Sequence, residues 1–495
     1  MKKNVSILLI LTMLASMTAC GETTSDAPAS EETAPAVQTE EQAEQPEETE
    51  DDRIKPNIPD ATYNGASLRF LSREVIDPVV RFYSEVASSE TNGEAMNDAT
   101  FERTMRMETN YDIKIVNDVL DIETIEQTYS NSYLAGEQNW DVIIPGFGTG
   151  TNLMKNGYAA DFRDVKYIDI EKPWWDTAVA EAMEIGGALY GAIGAINTWT
   201  DSHTYGVTFN KELAVAYQID PYEMVRNNTW TIDNFYSIAE KVTTDLDGNG
   251  VWDHNDRYGI SGTNFGFNLH MISSGAFAIQ KDENGYPEMD ITERFYNVAE
   301  KVCNIMTSGN YMRAESLQGL VDDIWGNGLR GNFRSNGALF LVNGMEEMII
   351  FRDLDTDIGL LPLPKYDETQ DRYYHPFSTY WASIIVIPRN SSTTDFTGHM
   401  LEAMNADAYY STSVTYYDVL LAGKSMRDPD SVEMLNIIRS SRTMDTELVY
   451  NFIGLSGIYT QMLDNKSSDI LASSVQRSQK AAEKLIERFI EQYQK

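Results

Sequence analysis

The stretch SLRFLS at Ser67–Ser72 decides the fold, because it is a short apolar run of strand length. Two similar runs follow it, IKIV at Ile113–Val116 and DVIIP at Asp141–Pro145. Helical patterns lie between the runs, one after the capping residues Asn97–Thr100 and one over Ile122–Leu134. Alternation of strands and helices is typical of a parallel sheet covered by helices. The sequence therefore predicts an α/β fold for the first part of the chain.

The alternation resumes after the apolar run Tyr205–Asn210. Further helices are predicted at Lys211–Tyr217, Thr231–Thr244 and Arg294–Ser308, and further β-rich runs at Ala338–Val342 and Ile384–Pro388. Spacing on the first helix predicts that it buries Phe101, Met105 and Tyr111. The segment Ser467–Gln494 is predicted to form one amphipathic helix, whose apolar side carries Val475, Ala482, Leu485, Ile486, Phe489 and Ile490.

Length and charge limit the class of protein. A chain of 495 residues exceeds the size at which single cores stop growing, about 250–300 residues, so two lobes are expected. The formal net charge is −38, which repels polyanions and anionic lipid surfaces. Nucleic acid is therefore not an expected partner.

The first twenty residues, MKKNVSILLILTMLASMTAC, have the charged start and short apolar run of a secretory signal. They end in small residues before Cys20, which resembles a lipoprotein box in which this cysteine is lipidated and becomes the new N-terminus. The alternative is an ordinary signal with a chance cysteine. Cys303 is the other cysteine, and its place in a helical pattern predicts a packed core thiol.

Residues 21–60 form an acidic segment almost without large apolar side chains. It carries thirteen Asp and Glu residues against Arg53 and Lys55. Such a composition cannot bury enough apolar surface to offset the entropy of ordering the chain. A disordered tether is therefore predicted between a membrane-anchored Cys20 and the folded body.

The segment DLDGNGVWDHND at Asp245–Asp256 has the layout of an EF-hand calcium loop. The predicted Ca²⁺ ligands are side-chain oxygens and one backbone carbonyl, from Asp245, Asp247, Asn249, Val251, Asp253 and Asp256. The alternative is a solvated acidic turn. A helix precedes the loop and a strand-like run follows it, whereas a sensor EF-hand joins two helices. We therefore expect a structural calcium ion that braces this corner.

Sequence motifs for catalysis are missing: the chain has no G-x-S-x-G elbow, no H-E-x-x-H helix and no phosphate loop. A glycosidase stays open as an alternative, since paired carboxylates arise by chance in an acidic chain. Aromatic residues lie in loop-like segments, namely Trp174, Trp175, Trp199, Tyr205, Trp325, Tyr380 and Trp381. Rings on loops suit sugars, whose C–H faces stack on aromatics, although ordinary packing also explains each ring singly.

Several stretches resemble the extracellular solute-binding proteins of bacterial ABC importers, in the carbohydrate-type family 1. The likeness lies in Leu134–Ile143, Tyr167–Ile170 with Pro173–Asp176, Gly187–Gly191 with Phe209–Leu213, Asp357–Tyr366 and Ala408–Arg427. This resemblance implies a two-lobed, periplasmic-binding-protein-like α/β fold of type II, with a ligand cleft between the lobes at a hinge. It implies an N-terminal lobe of residues 61–208 and 341–381 and a C-terminal lobe of residues 209–340 and 382–495. The chain is expected to cross between the lobes near Phe209–Asn210, Val342–Gly344 and Tyr380–Ser383.

The resemblance also implies where a solute binds, since ligands of parallel sheets lie beyond the carboxyl ends of strands. When the resemblance is carried over position by position, the residues expected to line the cleft are Ser72, Arg73, Phe147, Trp199, Asp201, Trp325, Asn343, Tyr380 and Trp381. The expected protein is a monomeric, lipid-anchored receptor on the outer face of a Gram-positive-type membrane, which it touches only through the lipid. It captures an oligosaccharide and passes it to the transmembrane subunits of an ABC permease. A surface adhesion protein, and a receptor for a peptide or another polar solute, are the alternatives.

Overall fold

In the computed structural model, the chain is described over residues 53–74, 82–423, 425–426 and 428–493. The predictions of a signal peptide and of lipidated Cys20 lie outside these residues, as does most of the predicted tether. Ile58 already packs against the core, so ordered contacts begin earlier than the predicted tether end at residue 60. Within the described ranges, we find no helix that combines the length and apolar character needed to span a bilayer.

The strands form two main sheets and one small hairpin. The strands are β1 Ala66–Arg73, β2 Ile113–Leu120, β3 Val142–Ile144, β4 Tyr205–Asn210, β5 Tyr258–Gly262, β6 Ile279–Lys281, β7 Pro287–Met289, β8 Tyr311–Arg313, β9 Ala338–Gly344 and β10 Ile358–Leu361.

Helices cover both main sheets. The α-helices are α1 Ala95–Tyr111, α2 Ile125–Leu134, α3 Phe147–Lys155, α4 Thr177–Met183, α5 Thr198–Ser202, α6 Lys211–Ala216, α7 Pro221–Arg226, α8 Ile232–Val242, α9 Gly266–Ser273, α10 Glu293–Thr307, α11 Gly331–Arg334, α12 Glu346–Ile350, α13 Thr394–Tyr409, α14 Thr412–Val414, α15 Pro429–Ser440, α16 Thr446–Tyr450, α17 Leu455–Asn465 and α18 Ile470–Tyr493. A 3₁₀ turn spans Ala314–Leu317, and π-helical segments span Ile324–Arg330 and Thr415–Gly423.

The first sheet has the strand order β2-β1-β3 and is parallel throughout, as the sequence predicts. The central strand β1 is formed by the predicted run around Leu68, Phe70 and Leu71, whose side chains are fully buried. β3 is equally buried, and Phe70 lies opposite Val142 in the register. Burial on both faces explains why these strands read as continuous apolar runs.

The second sheet has the order β10-β4-β9-β5-β8 and is mixed. β5 runs parallel to β8 and β9, whereas β4 runs antiparallel to β9 and β10. The sequence did not predict this reversal. Its consequence is that the start of β4, at Tyr205, lies beside the end of β9, at Gly344.

The strand pairings differ from the predicted division into lobes. Residues 341–381 were assigned to the first lobe, yet β9 and β10 both pair with β4 in the second sheet. Residues 382–495 were assigned to the second lobe, yet Ser383 and Val386 form β-bridges with Gly146 and Ile143, beside the first sheet. The run Ile384–Pro388 makes such isolated bridges and no regular strand, because its partners come from separate segments.

Two of the three predicted crossings are wrong for the same reason. Phe209–Asn210 and Val342–Gly344 lie inside the second sheet, paired along β4 and β9. The third is consistent with the structure: Phe377 bridges to Thr204 next to β4, and Ser383 bridges to Gly146 next to β3. The hydrogen bonds therefore pass from one sheet to the other across Tyr380–Ser383.

Two predicted helix faces need correction. On α1, Met105 is 45% exposed, while Arg103 is 1% exposed and donates to the carbonyls of Glu85 and Val86. The helix therefore buries a hydrogen-bonded arginine where apolar spacing predicted a methionine. On α18 the predicted face is buried except for Ile490, which is partly buried, and Leu485, which is 46% exposed. Cys303 lies buried in α10, as predicted.

Candidate functional site

A cavity of about 500 Å³, called here the aromatic pocket, opens at one edge of the second sheet. Its walls combine aromatic rings, hydroxyl and amide groups, and acidic side chains. The lining residues are His203, Tyr205, Thr263, Phe265, Glu315, Trp325, Leu329, Arg330, Asn343, Gly344, Glu346, Ser378, Thr379, Tyr380 and Trp381. Its size and mixed lining are those of a small-molecule site.

Strand direction brings these residues together. The parallel strands β5, β8 and β9 end at the same edge, and they are followed by Thr263, by Glu315 and by Glu346. The antiparallel β4 begins at that edge with Tyr205. The pocket therefore lies beyond the carboxyl ends of parallel strands, where α/β proteins bind their ligands.

The pocket presents several aromatic faces. The rings of Tyr205 and Phe265 lie 5.4 Å apart between centroids, and those of Tyr380 and Trp381 lie 4.8 Å apart at nearly right angles. Trp381 also stacks on the imidazole of His203 at 5.9 Å. Tyr380 is 51% exposed and Trp325 is 45% exposed, so both offer ring surface to a solute. Flat rings of this kind suit the C–H faces of sugars.

A buried ion pair holds the segment that carries Trp325. This tryptophan lies on the π-helical segment Ile324–Arg330, whose last residue contacts Glu347 of α12. The Arg330 Nε lies 2.9 Å and 3.1 Å from the two carboxylate oxygens of Glu347, and its Nη2 lies 2.8 Å from Oε1. Asn343 donates to the same carboxylate at 2.7 Å. Glu347 is fully buried, so these contacts offset its loss of hydration.

The first sheet reaches the pocket through Arg73, at the end of β1. Its guanidinium donates to the backbone carbonyls of Tyr380 and Trp381 and lies 5.5 Å from the centre of the Trp199 ring. Arg73 is 2% exposed and therefore positions the wall of the pocket from behind. Glu85 accepts the backbone N–H of Trp199 at 2.6 Å, and burial raises the pKa of its carboxyl to about 7.

The predicted site residues divide into two groups. Trp325, Asn343, Tyr380 and Trp381 line the aromatic pocket together. The others are buried elsewhere: Ser72 at the end of β1, Phe147 against Phe377, Trp199 under Arg73, and Asp201 paired with Arg442. Asp201 lies 2.5 Å from the Arg442 guanidinium, which also contacts Asp176, so its carboxylate is engaged within the protein.

Sequence reasoning missed several lining residues, notably Phe265, Glu315, Arg330 and Glu346. Phe265, Glu315 and Glu346 follow shortly after the ends of β5, β8 and β9, and Arg330 ends the π-helical segment. That these strands end at one edge depends on strand pairings that no local sequence pattern reveals. Tyr205 was noted as a loop aromatic but was not assigned to the site. A larger cavity of about 600 Å³ lies elsewhere, lined by side chains such as Phe277, Arg372 and Met444. It does not lie at a carboxyl edge of either main sheet.

The predicted calcium loop connects α8 to β5, and it is closed at its base by a bridge between Thr244 and Arg257. Asp245, Asp247 and Asp256 bring carboxylate oxygens within 4.8 Å of one another. Asp245 also accepts the N–H groups of Gly248 and Gly250, which lowers the pKa of its carboxyl. Asp253 instead accepts the N–H of Asn255. The three clustered oxygens are of the hard type that Ca²⁺ prefers.

Neither protein-family models nor curated proteins match this sequence. Solved structures do match its fold. The galacto-N-biose/lacto-N-biose I-binding protein of an ABC transporter from Bifidobacterium longum matches with a TM-score of 0.55 at 11% identity, over 86% of this chain and 98% of that one. The sugar-binding protein MalE from Xanthomonas citri matches with a TM-score of 0.55 at 13% identity, over the same shares. An ABC substrate-binding protein from Listeria monocytogenes, in complex with cycloalternan, matches with a TM-score of 0.51 at 14% identity, over 86% and 98%.

At these identities the likeness shows the fold. The chain has the two-lobed α/β fold of the substrate-binding proteins of ABC transporters, which confirms the predicted fold class. The matched structures are binding proteins, and each is covered almost completely by this chain. The fold does not define the solute, so the class of solute has to be inferred from the residues of the pocket.

Proposed function

We propose that the chain is a carbohydrate-type solute-binding protein, which captures an oligosaccharide and delivers it to an ABC importer. The observation that carries the proposal is the aromatic pocket, whose rings and polar groups meet at the carboxyl edge of a sheet. The fold shared with sugar-binding structures supports it, since the protein from Bifidobacterium longum was solved with lacto-N-biose. The protein binds without catalysis and works as a monomer.

Calorimetric titration of the purified protein with neutral mono- and oligosaccharides tests this function. We expect a saturable, one-to-one response to at least one of the sugars. Tight binding of peptides together with silence across the sugars would overturn it. Release of new reducing ends from a bound oligosaccharide would instead indicate a glycosidase.

Paired tryptophan variants locate the site. Trp325 and Trp252 are each 45% exposed, but Trp325 lines the aromatic pocket and Trp252 lies in the predicted calcium loop. Removing a ring that stacks on the solute costs about 1.5–3 kcal/mol of buried apolar contact. Trp325→Ala should therefore weaken sugar binding by about ten- to a hundredfold, and Trp252→Ala should leave it unchanged. Equal effects of the two variants would place the site elsewhere.

We also propose that Cys20 carries the lipid that anchors the protein to the outer face of a Gram-positive-type cell membrane, where the transmembrane subunits of an ABC permease receive the solute. The sequence of the first twenty residues supports this proposal. Replacing Cys20 by serine should move the protein from the membrane fraction to the medium. A Cys20→Ser protein that stays in the membrane fraction would contradict the lipid anchor. If variants that no longer bind the sugar still allowed the cells to take it up, adhesion would be favoured over transport.

Finally, we propose that the loop Asp245–Asp256 binds a structural calcium ion. The clustered oxygens of Asp245, Asp247 and Asp256 support it. Calcium should raise the melting temperature, and Asp247→Ala should remove the effect while sugar affinity stays the same. Asp367→Ala is the matched control, because Asp367 also accepts backbone N–H groups in a turn but lies outside the loop. The absence of a calcium-dependent shift in the unsubstituted protein would contradict the site.

A further inference from the structure

The aromatic pocket contains acidic groups that a neutral sugar does not require. Glu346, the first residue of α12, is 5% exposed and lines the pocket. Glu315 lines it from the 3₁₀ turn after β8, and its Oε2 accepts the N–H of Asn264 at 2.8 Å. Burial raises the pKa of Glu315, because its charged form is poorly hydrated there. A cation in the pocket would favour the charged form.

The nearby positive groups make contacts within the protein. Arg330 is the lining arginine, and the fully buried Glu347 holds it through both carboxylate oxygens. Arg313 lowers the pKa of Glu315 only as a lesser contribution, and its guanidinium donates to Asn264 Oδ1 at 2.9 Å. His203 packs flat against Trp381, with Nδ1 2.7 Å from the Trp199 carbonyl. The charged residues that line the pocket are Glu315, Glu346 and Arg330, so its formal charge is negative when His203 is neutral.

The aromatic rings around the acids also favour a cationic solute. Tyr205, Phe265, Trp325, Tyr380 and Trp381 line the same cavity. The faces of such rings attract ammonium groups, and the attraction increases when the ammonium is removed from water. Carboxylates beside aromatic faces can hold a protonated amine by charge-assisted hydrogen bonds and cation–π contacts together. Neither contact is available to a neutral hydroxyl with the same strength.

We propose that the solute of the aromatic pocket carries a protonated amine, as an amino-sugar oligosaccharide does, and that Glu315 and Glu346 recognise the ammonium group. This inference rests on the proposed function, because it specifies the class of sugar. The net charge of −38 acts in the same direction, since the summed field attracts cationic solutes to the protein.

The test compares three ligands by calorimetry on the full chain, at slightly acidic pH: an oligomer of glucosamine, its N-acetylated form, and a glucose oligomer of equal length and linkage. The corresponding monosaccharides provide a second set that does not depend on linkage. We expect the free amine to bind at least about tenfold more tightly than both counterparts. Glu315→Gln should remove most of this preference. Glu288→Gln, on the exposed side of β7, is the matched control.

Each outcome decides between the proposals. Neutral sugars that bind as tightly as the amine would overturn the inference and leave the proposed function standing. An amine preference that survives Glu315→Gln would overturn the assignment of the ammonium to this pocket. Failure of every sugar, charged or neutral, would overturn the proposed function itself.

Discussion

Replacing Arg330 should destabilise the protein far more than replacing an exposed basic residue. The substitution Arg330→Met keeps the length of the side chain but removes the guanidinium that holds Glu347, which is fully buried. Removing one partner of a buried ion pair costs about 3–5 kcal/mol, because the other charge is left without compensation. The Arg330 side chain is 20% exposed and Asn343 still donates to Glu347, so we expect a loss near the lower limit, about 3 kcal/mol.

Denaturant titration at pH 7, followed by tryptophan fluorescence, measures this loss as a shift of the midpoint with an unchanged slope. The matched control is Lys114→Met: Lys114 lies 3.1 Å from Glu108, but its side chain is 67% exposed. Exposed pairs of this kind contribute about 0–1 kcal/mol. The double variant Arg330→Met with Glu347→Met should recover most of the stability, because an apolar replacement of a buried pair is often neutral.

The same variants test whether the ion pair positions the solute site. At a temperature where Arg330→Met remains folded, its sugar affinity should fall, because the π-helical segment that carries Trp325 loses its attachment to α12. A destabilisation no larger than that of Lys114→Met would refute the argument from burial. A double variant as unstable as Arg330→Met would show that the single variant fails for a reason other than the uncompensated carboxylate.

Other predictions follow from individual contacts. Burial raises the folded-state pKa of Glu402 to about 7, so its contribution to the free energy of unfolding should fall as the pH rises between about 4.5 and 7. In denaturant titrations, Glu402→Gln should flatten that fall, whereas the exposed control Glu487→Gln should not. A Cβ at Gly259 would lie 2.1 Å from the Ala239 Cα, so Gly259→Ala should lower the free energy of unfolding by about 1–3 kcal/mol. Gly457 lies in α17 with open space around it, so Gly457→Ala should be neutral or stabilising by up to about 1 kcal/mol. Asp201→Asn should lower the melting temperature through Arg442 and change sugar affinity by less than about twofold, and a large loss of affinity would restore Asp201 to the solute site.

The first sheet was readable from the sequence because its signals are local. The runs around Leu68, Ile113 and Val142 are short and apolar, and helical patterns separate them. A buried parallel strand needs no partner to be recognised, and right-handed crossovers leave few ways to connect three of them. The order β2-β1-β3 follows from that limited set.

The buried face of α1 could not be predicted by the same reasoning. Apolar spacing selects Met105, but the helix packs where the carbonyls of Glu85 and Val86 need donors, and Arg103 supplies them. A buried guanidinium is favourable only when such acceptors are present, and both lie in the irregular segment before the helix, whose fold back onto α1 no local pattern shows. Sequence patterns assign helix faces by polarity, so they place a hydrogen-bonded arginine on the wrong side.

One difference in strand direction explains both the misplaced crossing and the incomplete site. If the second sheet were parallel throughout, as the alternation predicted, the end of β4 at Asn210 would lie at the ligand edge and the chain would leave the sheet there. Because β4 is antiparallel to β9, its first residue Tyr205 lies opposite Gly344 and joins the pocket wall, while Asn210 pairs with Ile358 at the far edge. The acids after β8 and β9 lie at the same edge because both strands run parallel to β5. Among 76 acidic residues, these acids are distinguished by the direction of the strands before them, which only the assembled sheet defines.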